Sequence, residues 1–97
     1  GFTKTLAIEL GPYGVRVNAI LPGAVEGERI RAVIAAKANA RGQEVEALTR
    51  QYQNLASLQR FVDPQDIANM AIFLASNAGR NVSGQAMAVD GHTQVLV

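Results

Sequence analysis

The chain has 97 residues, nearly half of them hydrophobic, and its nine basic and eight acidic side chains leave a net charge of +1. That length holds one compact unit at most, and so balanced a charge gives no reason to expect nucleic acid or a membrane as partner. With no cysteine there is no disulfide framework or thiol nucleophile, and the longest apolar run, Met70 to Ala75, is too short to cross a bilayer.

Thr3 to Leu10 reads as the end of a helix, with Leu6 and Leu10 on one stripe and Lys4 and Glu9 left to solvent. Gly11 and Pro12 are expected to stop it, the glycine as a left-handed cap, before a tight turn at Tyr13 and Gly14. Val15 to Leu21 (VRVNAIL) is the clearest strand. It begins by alternating and ends nearly all apolar, the pattern of a strand buried on both faces of a parallel sheet. Pro22 and Gly23 break it.

Glu28 to Ala40 follows as a helix with Ile30, Val33 and Ile34 on one stripe, closed by Gly42. Glu44 to about Leu58 is a second, expected to bury Val45, Leu48, Tyr52 and Leu55. Arg29, Arg31, Lys37 and Arg41 alternate with Glu26, Glu28, Glu44 and Glu46, which reads as a solvated face. In the helix Asp63 to Asn77, Asp63 is the expected N-cap, Pro64 fits the first turn, and Asp66 adds negative charge there. Ile67, Met70, Ala71 and Leu74 share a stripe that Ile72 and Phe73 widen, so cover on more than one side is expected. A loop from Gly79 to Gly84 leads to a short strand, Gln85 to Asp90, and His92 to Val97 is a tail without an assigned element.

This order predicts an α/β chain. Two strands joined by helices imply a parallel pair with a right-handed crossover, and such a pair needs neighbours on both faces. There is no G-x-G-x-x-G, Walker loop, H-E-x-x-H or G-x-S-x-G. One histidine, His92, cannot make a multi-histidine metal site, and beside Asp90 it reads as an ordinary surface residue; no metal is expected. The chemical signal is the passage from Asn18 to Val25. Ligands of open parallel sheets sit beyond the carboxyl ends of the strands. There Gly23 would let a flat ligand approach and Val25 would offer an apolar contact. A plain strand-ending turn is the competing reading, and the local pattern alone favours it. Asn18 is expected to hold backbone through its amide.

The order of short motifs shifts that balance. Gly1-Phe2-Thr3-Lys4, Val15-Arg16-Val17-Asn18, Pro22-Gly23, Pro64-Gln65-Asp66-Ile67-Ala68, Phe73-Leu74-Ala75-Ser76, Ser83-Gly84-Gln85 and Val89-Asp90-Gly91 stand in sequence. In this order and spacing the chain resembles the short-chain dehydrogenase/reductase family, and only Glu26 to Arg60 departs freely. The resemblance implies the C-terminal portion of a Rossmann-type doubly wound parallel sheet. Residues 1–97 would form one segment of an NAD(P)-binding domain, with 26–60 as the variable substrate cover. It also implies hydride transfer between NAD or NADP and an alcohol or carbonyl compound, a 3-oxoacyl thioester among the candidates.

The family's catalytic Ser, Tyr and Lys are expected upstream of Gly1, so no catalytic residue is assigned here and the segment alone is expected to be inactive. Tyr13 and Tyr52 cannot supply the family's Tyr-x-x-x-Lys, because Val17 and Ala56 stand four residues on. Lys4 belongs to the Phe-Thr-Lys that follows that motif. What carries over is cofactor contact at Pro22, Gly23, Ala24 and Val25, with the backbone of Val25 toward the nicotinamide carboxamide. Where many relatives have a threonine that bonds the cofactor, Gly27 stands. A homodimer or tetramer in the cytoplasm is expected of the full-length protein. The alternative is a stand-alone, non-enzymatic α/β or helical module that binds a partner.

Overall fold

In the computed structural model, which describes residues 1–93, Ala19–Pro22 (β1) and Ala86–Val89 (β2) form the expected parallel pair. Ala19 lies opposite Ala86 and Pro22 opposite Val89. Before β1 comes Phe2–Leu10 (α1). Between the strands run Glu28–Arg41 (α2), Val45–Gln53 (α3) and Pro64–Ala75 (α4). The reading of the tail falls in part on residues 94–97, outside the described residues.

The first strand is shorter than its sequence suggests. Pairing begins at Ala19 rather than Val15, because the segment facing Val15 to Asn18 is not extended: Gly84 takes a left-handed φ of 74°. A side-chain bond and a backbone bond continue the pairing there. Val17 N–H donates to Ser83 Oγ at 3.1 Å, and Gly84 N–H to the Val17 carbonyl at 2.7 Å. Asn18 holds backbone as expected: its Nδ2 donates to the Val82 carbonyl at 2.9 Å and its Oδ1 accepts from Gln85 N–H at 3.1 Å. The Arg16 guanidinium donates to the carbonyls of Leu74 and Gly79, which fixes the end of α4. Burial on both faces is not met. Leu21 is 52% exposed, since α4 is the helix that packs on both strands among the described residues.

Helix ends follow cap chemistry with three corrections. Gly11 stays right-handed at φ −54° and opens a 3-10 turn through Tyr13; the left-handed residue is Gly14, at φ 77°. Gly42 caps α2 in the left-handed conformation, as its position predicted. Asp63 Oδ1 accepts from Gln65 N–H at 2.8 Å, and Asp66 reaches back to Asp63 N–H at 3.0 Å, a reciprocal cap on α4. The end of α4 is Ala75 because Ser76 turns extended and its hydroxyl accepts from Ala78 N–H. At Gln53, not Leu58, α3 stops. The backbone beyond it is claimed elsewhere: Ser57 N–H donates to the His92 carbonyl at 2.8 Å and Leu58 N–H to that of Gly91 at 3.1 Å.

Ile34, Ala38 and Leu48 seal a core between α2 and α3, against which Ile30, Tyr52 and Phe61 pack. Val45 and Leu55, expected inside, are exposed, and so are Ile72 and Phe73. The radius of gyration is 17.2 Å, against about 13 Å for a compact domain of this length. The chain is drawn out, and its second layer is thin. No helix among the described residues is long and apolar enough to cross a membrane.

Candidate functional site

The candidate site is the turn that leaves β1. Gly23 N–H donates to the Val89 carbonyl at 3.0 Å, extending the strand ladder by one rung. Because the ladder uses Ala19 N–H and Gly23 N–H, two-residue periodicity turns position 22 to the opposite edge, where proline's missing donor breaks no bond to β2. At Gly23 the two strands nearly touch. A Cβ there would stand 2.6 Å from Asp90 Cβ and 2.7 Å from Asp90 Cα. The glycine is therefore required by the neighbouring strand, a different cause from the ligand approach inferred from sequence.

Beyond Gly23 the chain pairs with a new partner. Val62 N–H donates to the Ala24 carbonyl and Glu26 N–H to the Val62 carbonyl, both at 2.8 Å, making a parallel bridge between Val25 and Val62. In this arrangement the residues flanking Val25 bond Val62, while the N–H and C=O of Val25 itself point to the other side. Among the described residues neither group has a hydrogen-bond partner. The result is one free donor and one free acceptor, side by side, on a backbone held rigid from behind. Nothing in the local sequence marks Val62 as that brace; it precedes the α4 cap, and only the fold brings it here.

Pro22, Gly23, Ala24 and Val25 thus form one continuous ledge with clefts on both sides. Gly23 and Val25 border one cleft with Ile30 and Val33 of α2. Pro22, Gly23 and Ala24 border the other with Tyr52, Phe61 and Asp90. Gly27 is the N-cap of α2 in extended backbone, and a Cβ on it would meet nothing within 4 Å. The missing threonine side chain would have room.

Several other polar groups near the ledge bond within the protein. Lys37 Nζ donates to Tyr52 Oη at 2.7 Å, tying α2 to α3. Asp90 Oδ1 accepts from His92 N–H at 2.8 Å, while His92 Nδ1 meets Ser57 Oγ. The Asp90 carboxylate thus holds the His92 backbone while the His92 ring meets Ser57, and among the described residues no group of three metal-ligating side chains forms. The turn after β2 is in this way bound to the segment that follows α3, and through Asp90 it abuts Gly23.

A parallel strand pair whose first strand opens into an unpaired ledge belongs to the α/β class that binds ligands beyond its strand ends. Known proteins narrow this class. The family model described as "Enoyl-(Acyl carrier protein) reductase" matches residues 1–92. The 3-oxoacyl-[acyl-carrier-protein] reductase of Aquifex aeolicus is 35% identical over 91 residues, 94% of this chain and 32% of that protein. A short chain dehydrogenase family structure from Francisella tularensis superposes with a TM-score of 0.85 at 34% identity, covering 93% of this chain and 37% of that one. The L-sorbose reductase of Gluconobacter frateurii, solved with NADPH and L-sorbose, gives 0.85 at 28% identity, covering 99% and 37%. The chain belongs to the short-chain dehydrogenase/reductase family and has its Rossmann-type α/β fold. It spans about a third of the length of the relatives it matches.

Proposed function

We propose that these residues are the C-terminal, substrate-covering part of an NAD(P)-dependent oxidoreductase that moves hydride between the nicotinamide and an alcohol or carbonyl compound. The observation that carries this reading is the unpaired N–H and C=O of Val25. A carboxamide offers an N–H donor and a C=O acceptor side by side, the complement of what Val25 presents. Pro22, Gly23 and Ala24 would border the ring, and the Val62 brace would keep the ledge from moving when the cofactor arrives. The bound cofactor supplies the hydride; this segment positions it and covers the substrate with residues 26–60. Acid–base catalysis falls to the family's Ser, Tyr and Lys, none of which the motifs place in these 97 residues.

The relatives' names support a carbonyl substrate, a 3-oxoacyl thioester being one example. The reading extends to a homodimer or tetramer in the cytoplasm, with bare apolar positions such as Phe2 and Ile8 on α1 as surface for further contacts.

The test is fluorescence titration of NADH and NADPH into the complete enzyme and its Val25→Pro variant. The bonds to Val62 use Ala24 and Glu26, so removing the Val25 N–H leaves the brace intact. Affinity is expected to fall about tenfold, the equivalent of one good hydrogen bond to a polar ligand, with an unchanged circular dichroism spectrum. Equal affinity in a folded variant would remove Val25 from the site.

A further inference from the structure

We infer that the cleft between the ledge and α2 receives the uncharged, aliphatic or alicyclic body of the substrate. The inference rests on the cofactor reading above for the position of the reacting carbon, but its evidence is the chemistry of the cleft. The cavity measures about 420 Å³, within the usual range for small-molecule sites. Val25, Ile30 and Val33 form its walls, and Gly23 and Gly27 add no side chain to its floor. Ile30 is half-buried and packs on the sealed Ile34, Ala38 and Leu48 core, so the wall it gives is rigid. Val33, one turn on, is 38% exposed and presents apolar surface that a ligand would cover.

The polar residues around the cleft are Glu26, Glu28 and Arg29, all ionic. Glu26 is bound at 2.6 Å to Arg31, which ties its carboxylate to α2. Glu28 and Arg29 are exposed to solvent in the first turn of α2. Among the described residues no hydroxyl or amide side chain borders the cleft. A hydrocarbon body seated on Val25, Ile30 and Val33 gains by leaving water, whereas hydroxyls set against those three side chains would give up hydrogen bonds to water. The names of two relatives span these alternatives, a ketose and an acyl compound; the cleft fits the second kind.

The experiment uses the complete enzyme with isotope-labelled Ile and Val methyl groups. 2-Decalone and L-sorbose are titrated separately while the methyl resonances of Val25, Ile30 and Val33 are followed. NADPH binding is measured in parallel by fluorescence. Saturable shifts are expected with decalone and none with L-sorbose at equal concentration. Val33→Asp should weaken the decalone response at least tenfold, and Val33→Leu should preserve it. Shifts from L-sorbose alone, or a decalone response indifferent to Val33→Asp, would overturn the assignment. The two readings fail separately. Loss of NADPH binding with the decalone shifts retained would sink the cofactor reading and leave this cleft in place; NADPH binding with silent methyls would do the reverse.

Discussion

The α2–α3 hairpin and the strand pair solve the same problem to different degrees. The hairpin closes its own core: Ile34, Ala38 and Leu48 are each 1% exposed. The strands do not. Leu21 stands half in water, and on the neighbouring helices Phe2, Ile8 and Ile72 are each more than 60% exposed. Two helices can bury a stripe on each other, but a parallel pair needs cover on both faces. In this chain the α2–α3 contact is therefore better sealed than the strand pair, although Val45 and Leu55 beside it are also exposed. The ledge is fixed by backbone bonds and close approach, which single side chains alter less.

The largest expected effect breaks that asymmetry directly. Leu48→Ala opens a void at the sealed contact and should cost about 2–5 kcal/mol of the hairpin's local stability. Leu21→Ala removes a half-exposed side chain and should cost under about 1 kcal/mol. Native-state hydrogen exchange of the α2 and α3 amides reads the first, and that of the Ala19 to Gly23 amides the second. Equal losses would mean that the exposed strand face is covered in solution. Next in size is Gly23→Ala. The added Cβ would lie 2.6 Å from Asp90 Cβ, so the strand ends must part, an overpacking cost of about 1–3 kcal/mol. The thermal midpoint should fall and NADPH affinity with it. A variant that keeps both would show that Asp90 can yield.

Much of the fold was legible, and for a common reason. The α2 cap at Gly42, the α4 cap at Asp63 and the Ile34 and Leu48 stripe positions follow from chemistry local to a turn or helix. What could not be read lies in contacts across the chain. The strand starts at Ala19 because Ser83 and Gly84 face the preceding residues from 66 or more positions away. Similarly, α3 ends early because Gly91 and His92 take the backbone bonds of Ser57 and Leu58. At Gly11 the local rule itself misled, since a 3-10 turn postponed the left-handed residue to Gly14. The ledge was legible as a position only. Pro22 to Val25 could be marked as a strand-end loop, but the open side of Val25 is created by Val62, and the need for glycine at 23 by Asp90.

A smaller effect tests the sheet side through its best-capped helix. Asp63→Ala removes the acceptor for Gln65 N–H and should cost about 1 kcal/mol. Faster exchange is expected in the first turn of α4, with the α2 and α3 amides unaffected. Spread of the loss into the hairpin would show that the two regions unfold together and that the contrast between them is only one of exposure.

The smallest effect asks whether cover and ledge meet at Gly27. Its backbone is extended, φ 161° and ψ −176°, and a Cβ there meets nothing within 4 Å, so Gly27→Thr enters without strain. Threonine and glycine are nearly equal as N-caps, so stability should move by only a few tenths of a kcal/mol. Any larger effect must come through a ligand. A hydroxyl at this position restores the contact that the family resemblance implies, and NADPH affinity should tighten several-fold at constant melting temperature. Unchanged affinity would mean that α2 begins too far from the cofactor for any side chain at 27 to reach it. The cover would then be independent of the ledge in binding as well as in packing, leaving Val25 to hold the carboxamide alone.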